Sequence, residues 1–347
     1  MRHHKRRRLA LVHESPARSH RLPIWGFPDP VTSHAKHKSR VHPKYKTKYR
    51  VGNWSDYDRS LVERGNLTVW LSPAAIAQWN AKPSRRRGGQ RKYSDLAIET
   101  ALTLRLLFQL PLRQIEGFLR SLCDLMGLAV DVPDHTTLSR RGKHLRVPLR
   151  VGTPGRIDLV IDSSGLAIFG EGEWAAAKHG GRGVRGWKKL HLGVDGDGVI
   201  VGRRLTDSNA DDGNVGVDLV DRMPGKIRRV TGDGAYDNRA LYAAATGRGA
   251  KVVVPPVKTA QTRGRGCRAR DRVIRRIRKV GRRQWKKEAG YHQQARAENT
   301  FFRYKKILGD RLHARDADAQ VGEARLACNI LNRMTELGMP ASYAVRV

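Results

Sequence analysis

Residues 156–254 constrain the fold most, because apolar runs of strand length alternate there with glycine turns and two helical segments. Three apolar runs come first, and the glycines at 196–198 predict a hairpin between the second and the third. A helix at 211–223 then leads to a strand at 227–233, and a second helix leads to a strand at 251–254. The predicted order is therefore three antiparallel strands followed by two helix–strand units.

Two of these predicted strands end on a carboxylate, the first at Asp162 and the fourth at Asp233. A strand end is a rigid mount, and oxygen ligands from separate strands can converge on hard cations such as Mg²⁺. Two such ions, about 3.5 to 4 Å apart, can activate the attacking oxygen and stabilise the leaving oxygen of a phosphodiester displacement. Either aspartate alone could instead be a turn residue. With carboxylates at these two ends, the strand order resembles a ribonuclease-H-like mixed sheet flanked by helices.

Glu298 is the candidate for a third carboxylate. It lies in a strongly cationic segment that we predict to be helical, with Tyr291 seven positions before it and Lys305 seven positions after it. Positions seven apart fall nearly on one helix face, so the three side chains are expected to point the same way. The alternative is an amphipathic helix whose charged face is merely solvated.

Other carboxylates near these positions have simpler explanations. Asp195 and Asp197 lie in or beside the predicted hairpin turn, where an Asp-Gly sequence favours turn geometry. Asp237 is predicted to be the N-cap of the helix that follows it. We therefore expect the metal ligands to be the carboxylates at 162, 233 and 298.

The charge of the chain indicates a polyanionic partner. Its 347 residues include 68 Lys and Arg against 32 Asp and Glu, a formal net charge of +36. An excess of this size goes beyond what solubility requires and favours nucleic-acid binding. The three cysteines are widely spaced, which predicts neither a zinc site nor a disulfide framework. No apolar run has the length of a signal peptide core or a membrane span, so we expect a cytoplasmic protein without a membrane partner.

Two regions precede the predicted sheet. Residues 1–48 are rich in Lys, Arg and His and lack apolar periodicity, which predicts a disordered basic arm. Residues 49–150 are predicted to form a helical region, with Ser55 as the N-cap of its first helix and a strand at 67–71. The predicted catalytic domain then occupies residues 151–347.

The last three helices of the helical region indicate a small DNA-binding domain of the helix-turn-helix type. The third of them carries hydroxyls and guanidiniums that would face a groove and phosphates, at Thr136, Thr137, Arg140 and Arg141. The alternative is an ordinary three-helix packing unit with a basic exterior.

A basic insert at 257–290 separates the second and third candidate carboxylates. We expect it to grip DNA, because so dense a charge of one sign needs a polyanion to relieve its self-repulsion. The alternative is a flexible loop whose charge is only tolerated. Trp187 and Trp285 are candidates for stacking on splayed bases, and equally for packing in the core.

Tyr291, Glu298 and Lys305 fit Y-x2-R-x3-E-x6-K, which resembles the signature of bacterial insertion-sequence DDE transposases. Residues 161–165 and 231–237 resemble the two Asp motifs of these enzymes, and the chain looks most like the insertion-sequence-five family. Residues 49–141 are also similar to the N-terminal region of that family. The resemblance covers nearly all of the chain outside the basic arm and the insert, with its motifs in the expected order.

The resemblance implies a transposase that binds the inverted-repeat ends of its element and catalyses metal-dependent DNA strand cleavage and strand transfer. It implies that Asp162, Asp233 and Glu298 are catalytic and hold two Mg²⁺ ions, for which Mn²⁺ could substitute. Tyr291 and Lys305 would position the DNA backbone near the break. Double-stranded DNA, both as element end and as target, would be the partner of a homodimer or a larger assembly associated with the bacterial nucleoid.

One position departs from the signature. Gln294 stands where the signature has an arginine, and an arginine follows two positions later at Arg296. Gln294 can hydrogen-bond a phosphate, but it lacks the fixed charge and the bidentate fork of a guanidinium. We predict DNA contacts for both side chains. Two alternatives stay open, namely a catalytically weakened or domesticated DNA-binding regulator and a two-metal nuclease that cuts without joining.

Overall fold

A computed structural model describes residues 48–83, 87–151, 155–168, 186–262 and 267–345. The predicted basic arm, except for Lys48, lies outside the described residues, as do residues 263–266 of the basic insert. The chain divides into a small unit, residues 1–49 with 344–347, and a large unit, Arg50–Tyr343. All the sites discussed below lie within the large unit.

The first described part of the chain is helical, as predicted, but two local predictions are wrong. The first helix has Asn53 at its N-cap position, not Ser55. Residues 67–70 form a short helix instead of a strand, because the Asn66 side chain accepts hydrogen bonds from the backbone N–H and the hydroxyl of Thr68. The elements are β1 (Lys48–Val51), α1 (Trp54–Arg64), α2 (Leu67–Trp70), α3 (Pro73–Ala77), α4 (Asp95–Leu107), α5 (Leu112–Leu125) and α6 (His135–His144).

The last three helices of this region, α4, α5 and α6, begin at residues suited to a helix N-terminus. Ser94 caps α4 by accepting a hydrogen bond from the N–H of Ala97, and Asp134 caps α6 by accepting one from the N–H of Thr137. Pro111 stands at the N-cap position of α5. Their apolar faces join one buried cluster that also contains residues of the sheet, so the helices and the sheet share a core.

The sheet has the predicted mixed topology. Its strand order is β4-β3-β2-β5-β6; β2 and β3, and β3 and β4, are antiparallel, whereas β5 runs parallel to both β2 and β6. This arrangement confirms the ribonuclease-H-like mixed sheet flanked by helices. The elements are β2 (Ile157–Ile168), β3 (Trp187–Val194), β4 (Ile200–Asp207), α7 (Asp212–Arg222), β5 (Ile227–Thr231), α8 (Arg239–Gly247) and β6 (Lys251–Val253), with a short 3₁₀ turn (Gly234–Tyr236) before α8.

Helices cover both faces of the sheet because the side chains of β2 alternate between two apolar clusters. Leu159 and Ile161 pack with residues of α7 and α8 on one face. Val160 and Leu166 belong to the cluster on the other face, which the last two long helices cover. The remaining elements are α9 (Arg268–Val280), α10 (Arg282–Ala289), a 3₁₀ turn (Tyr291–Gln294), α11 (Ala295–Leu308), β7 (Arg311–Leu312), α12 (Ala317–Leu337) and β8 (Ser342–Val345).

Gly290 separates α10 from the turn that leads into α11. Its φ of +71° is a left-handed conformation that favours glycine, and its backbone N–H bonds the carbonyl of Lys287. The chain therefore changes direction immediately before Tyr291. In the parts of the chain that the structure describes, no helix combines the length and the apolarity that a membrane crossing requires.

Candidate active site

Asp162 lies within β2, six residues before the strand ends, so the prediction that it ends a strand is wrong, whereas Asp233 lies just after the end of the neighbouring parallel strand β5. The register of β2 and β5 pairs Val160 with Thr231, so each aspartate comes two residues after this pair. Adjacent strands are about 4.8 Å apart, which places the two backbones side by side. Asp233 also caps the 3₁₀ turn that follows β5, since its Oδ1 accepts a hydrogen bond of 3.0 Å from the N–H of Ala235.

Glu298 lies in the first turn of α11 and is exposed. The helix packs against β2 and β3 because Ala297 and Phe301 are buried in the same cluster as Val160. Burial of this flank places the glutamate on the adjoining flank of the helix. The helix N-terminus also favours a negative charge at this position.

Electrostatics link these carboxylates. Burial, together with the smaller effects of the negative charges of Asp233, Glu298 and Asp212, raises the pKa of Asp162 to about 6. The N–H of Ser163 donates a 2.8 Å hydrogen bond to Asp162 Oδ1 and opposes this shift. The predicted carboxylates therefore act on one another across a small region of the sheet, in a protein that is otherwise strongly cationic.

The donor chemistry at this region fits a hard divalent cation, because the three predicted ligands supply only carboxylate oxygens. Mutual repulsion of their charges is the electrostatic situation that a cation relieves. Within the described ranges, however, no group of three or more His, Cys, Asp or Glu side chains is spaced closely enough to hold a metal ion. The charges of the predicted ligands therefore influence one another, but the three carboxylates are not close enough to coordinate one metal ion together.

Tyr291 lies near the carboxylates but not on the helix of Glu298. It begins the 3₁₀ turn before α11, so the prediction of one continuous helix through 291, 298 and 305 is wrong. The ring is partly buried, and the Lys286 Nζ lies 4.5 Å from its centroid. Burial, followed by the charges of Asp233, Glu298 and Asp162, raises the Tyr291 pKa to about 12.

Lys305 is exposed on α11, two turns after Glu298. The side chain of Phe302, one turn before it on the same flank, is also exposed. The stripe that was predicted from Glu298 to Lys305 is therefore present on the surface of this helix.

Gln294 and Arg296 occupy very different environments. The Gln294 side chain is buried, with 3% of its surface exposed, and its Nε2 donates a 3.3 Å hydrogen bond to the carbonyl of Ile161. Arg296 reaches toward Gly196 in the β3–β4 turn, and its charge helps to lower the pKa of Asp158, after the larger effect of the hydrogen bond from Arg228. Arg296 thus points along β2 away from Asp162.

A polar network that the sequence analysis did not single out lies beside this site. Lys189 Nζ donates a 3.0 Å hydrogen bond to Asp212 Oδ2, and His191 Nδ1 lies 3.4 Å from Asp212 Oδ1. His191 is fully buried, with its Nε2 2.9 Å from the hydroxyl of Thr206. Burial lowers the His191 pKa to about 4. The sequence contained a signal for this network, because Lys189 and His191 are polar residues at alternate positions of an otherwise apolar strand.

The other acidic candidates, Asp195 and Asp237, are bound to structural partners. Neither therefore belongs with the three candidate metal ligands. Asp195 Oδ1 accepts hydrogen bonds from the N–H groups of Asp197 and Val199, as expected for a hairpin turn. Asp237 is not a helix cap, because Asn238 caps α8. Both oxygens of Asp237 instead accept hydrogen bonds of 2.7 Å from Arg270 at the start of α9.

In α6, the four residues predicted to contact DNA differ in availability. The hydroxyls of Thr136 and Thr137 donate to the Asp134 carboxylate. Arg141 Nη1 donates to the carbonyl of Tyr93 at 3.0 Å, and its Nη2 pairs with Asp95. Arg140 is exposed. The DNA contacts of this helix stay predictions; Thr136 is also exposed, but its hydroxyl is bonded to Asp134, whereas Arg140 has no such local partner among the described residues.

The described part of the basic insert is largely helical, as α9 and α10. Trp285 is 5% exposed and packs with Val253 and Ala289, so it belongs to a core cluster and does not present a stacking surface. Trp187 is 41% exposed. Several cationic side chains of the two helices are exposed, namely Arg272, Arg275, Lys279, Arg283 and Lys287.

Comparison with protein-family models agrees with this geometry. A model described as a transposase DDE domain matches residues 153–333, which include the sheet, α11 and most of α12. A second model with the same description matches residues 62–171. Because the first match covers more than half of the chain, the chain belongs to the transposase DDE domain family.

Proposed function

We propose that the chain is the transposase of an insertion sequence, of the insertion-sequence-five type, that cuts element ends and joins them to target DNA. Family membership implies a DNA substrate and dependence on a divalent metal. The observation that carries the proposal is that the charges of Asp233, just after β5, and of Glu298, on the adjacent helix, both act on Asp162 within β2. Asp-Asp-Glu chemistry at this place would hydrolyse a phosphodiester and then use the freed 3′-OH for transfer.

Asp162, Asp233 and Glu298 would hold two divalent cations, Mg²⁺ or Mn²⁺. When bound, such ions supply activation of the attacking oxygen and stabilisation of the leaving oxygen. The protein contributes one carboxylate from a strand of the sheet, one from the turn that follows β5 and one from a packed helix. No covalent protein intermediate is needed, since water and then a DNA 3′-hydroxyl serve as nucleophiles.

Tyr291 and Lys305 would hold the DNA backbone near the break. The raised pKa of Tyr291, about 12, keeps its hydroxyl protonated at neutral pH, so it can donate a hydrogen bond to a phosphate oxygen. Lys305 supplies a mobile ammonium group at the exposed end of the same surface. Arg296 would act farther away, toward the β3–β4 turn.

The exposed cations of α9 and α10 would bind the phosphates of double-stranded DNA beyond the active site, and α6 would contribute Arg140. Such contacts release counterions, so binding should weaken steeply with salt. Joining two element ends in concert would require a homodimer or a larger complex on DNA.

The test uses a pre-cleaved duplex that carries the inverted repeat taken from DNA flanking the gene, with supercoiled plasmid as target, in Mg²⁺. The proposal expects joined products with the unmodified protein and none with Asp162→Asn, Asp233→Asn or Glu298→Gln. Joining that persists in these variants would exclude the assignment of the three carboxylates.

Two other outcomes would favour the alternatives. Cleavage of the uncut end without any joining would favour a two-metal nuclease. Tight, specific binding of the inverted repeat without cleavage would favour a weakened or domesticated DNA-binding regulator.

A further inference from the structure

Gln294 is a buried residue next to the candidate active site. It ends the 3₁₀ turn Tyr291–Gln294, which contacts β2 and β5. Its amide nitrogen donates to the carbonyl of Ile161, the residue immediately before Asp162 on β2. The side chain therefore links the turn that carries Tyr291 to the backbone that carries Asp162.

The burial of this amide is difficult to reconcile with a direct DNA contact. Only 3% of its surface is exposed, whereas Glu298 and Lys305, on the neighbouring helix, are exposed. A phosphate could reach the amide only if the turn moved away from the sheet. The neutral side chain fits this enclosed position, because burial of an unpaired guanidinium would be costly.

The oxygen of the Gln294 amide differs from its nitrogen in its hydrogen bonding. Gln294 Oε1 is buried and has no hydrogen-bond partner among the residues that the structure describes. An unpaired buried acceptor is destabilising, so stability alone does not account for this side chain. Each such group in a native structure requires an explanation, and a functional role is one of the known explanations.

We propose that Gln294 is a positioning residue, which sets the Asp162 carboxylate through the Ile161 carbonyl and does not bind DNA. This inference rests on the proposed function, because it takes Asp162 as a metal ligand. Partners that orient metal ligands typically change metal affinity 10–100-fold when they are lost.

The test compares Gln294→Met, which keeps the shape and removes the amide, with Gln293→Met in the same turn. Gln293 is partly exposed and pairs with His292, so it is a matched control. Four quantities are measured, namely Mn²⁺ affinity by electron paramagnetic resonance, the Kd for the flanking inverted-repeat duplex in EDTA, the rate of joining in Mg²⁺ and the urea midpoint of unfolding.

For Gln294→Met we expect about tenfold weaker Mn²⁺ binding and a joining rate lower by tenfold or more. We expect the DNA Kd to stay within twofold and the unfolding midpoint to change little, because removal of the unpaired amide oxygen offsets the loss of the hydrogen bond to the Ile161 carbonyl. Gln293→Met should match the unmodified protein in all four. Gln294→Asn, whose shorter amide cannot reach Ile161, should show the same losses and serves if the methionine variant does not fold.

Two results would overturn the inference. A weaker DNA Kd with unchanged Mn²⁺ affinity would make Gln294 a DNA contact. A lower unfolding midpoint with unchanged Mn²⁺ affinity and joining rate would make it a purely structural residue. Asp162→Asn tests the proposed metal site itself. If this variant binds Mn²⁺ as tightly as the unmodified protein, Asp162 is not a metal ligand and the proposed site is excluded.

Discussion

At the scale of single residues, polar groups near Asp162 lie on both faces of the sheet. Gln294 and Glu298 belong to the side of α11, whereas Lys189, His191 and Asp212 belong to the side of α7. The charges on the α7 side are nearly enclosed, so each depends on its partner. Substitutions on the α7 side should therefore show how much these buried polar groups contribute to the free energy of unfolding.

Asp212→Asn should destabilise the protein by about 3 kcal/mol, because the ammonium of Lys189 would lose its ion partner in a site where both side chains are mostly buried. Urea unfolding measures the change. The control is Asp207→Asn, which breaks the neighbouring pair with Lys188; Asp207 is 74% exposed, so less than about 1 kcal/mol is expected. Equal losses in the two variants would contradict the burial argument.

His191 should make stability depend on pH. Its folded-state pKa, about 4, lies below the ordinary value of 6.5, so between these values the unfolded chain binds a proton that the folded protein does not. Stability is therefore lost as pH falls from about 6.5 to about 4, by up to about 3 kcal/mol from this group. His191→Gln should remove this component when urea unfolding is compared at pH 7 and pH 4.5. An unchanged pH dependence in the variant would count against a buried neutral histidine.

At the scale of elements, caps and amphipathic faces explain most helix positions. Asp134 begins α6 by accepting hydrogen bonds from the backbone of Thr137 and from two threonine hydroxyls. In α9, Ile274 is buried, and Val273 and Ile277 pack beside Trp285, which leaves the basic face of the helix outward. Such a helix is held by its apolar stripe and is free to use its charges for binding.

The basic face of α9 should determine much of the salt dependence of DNA binding. Replacing Arg272, Arg275 and Lys279 together by alanine should lower the slope of log K against log salt by up to about 3, since each lost phosphate contact removes about 0.9. Fluorescence anisotropy with a labelled duplex over a range of NaCl measures the slope. The control variant replaces three exposed arginines outside the insert, Arg222, Arg311 and Arg333, and an equal loss there would show that only net charge matters.

At the scale of the large unit, one buried cluster joins the helical region to the sheet. It contains Ile98 and Leu138 from the helical region, Val160 from β2 and Ile330 from α12. Asn332 of α12 adds polar links, because it exchanges two hydrogen bonds of 2.8 Å with the backbone of Ile200. These contacts should make the two regions unfold together.

Asn332→Ala should lower stability by about 3 kcal/mol, because buried backbone groups of β4 lose their partners. The measurement is urea unfolding followed by far-ultraviolet circular dichroism and by tryptophan fluorescence, with one shared midpoint expected for both probes. Asn329→Ala, which breaks solvent-exposed hydrogen bonds with the backbone of Pro148 and Arg150, should cost less than about 1 kcal/mol. Separate midpoints for the two probes would contradict a shared core.

How far the sequence predicted the site differs among its residues. Asp162 and Asp233 were predicted because each follows an apolar run, which is a local feature, although β2 continues past Asp162 to Ile168. Glu298 and Lys305 were identifiable from helical spacing. The position of Tyr291 was not, because the left-handed Gly290 and the following 3₁₀ turn interrupt the helix period.

The apolar pattern by itself determined the order of the strands along the chain, most helices and two of the candidate carboxylates, because these depend on neighbours in the chain. Tertiary structure decided what the polar residues between them do. Gln294 is buried because its turn docks on β2, Asp237 pairs with an arginine 33 positions later, and Asp212 meets Lys189 across a helix–sheet boundary. Burial and pairing at such distances depend on packing between elements, which no local period in the sequence encodes.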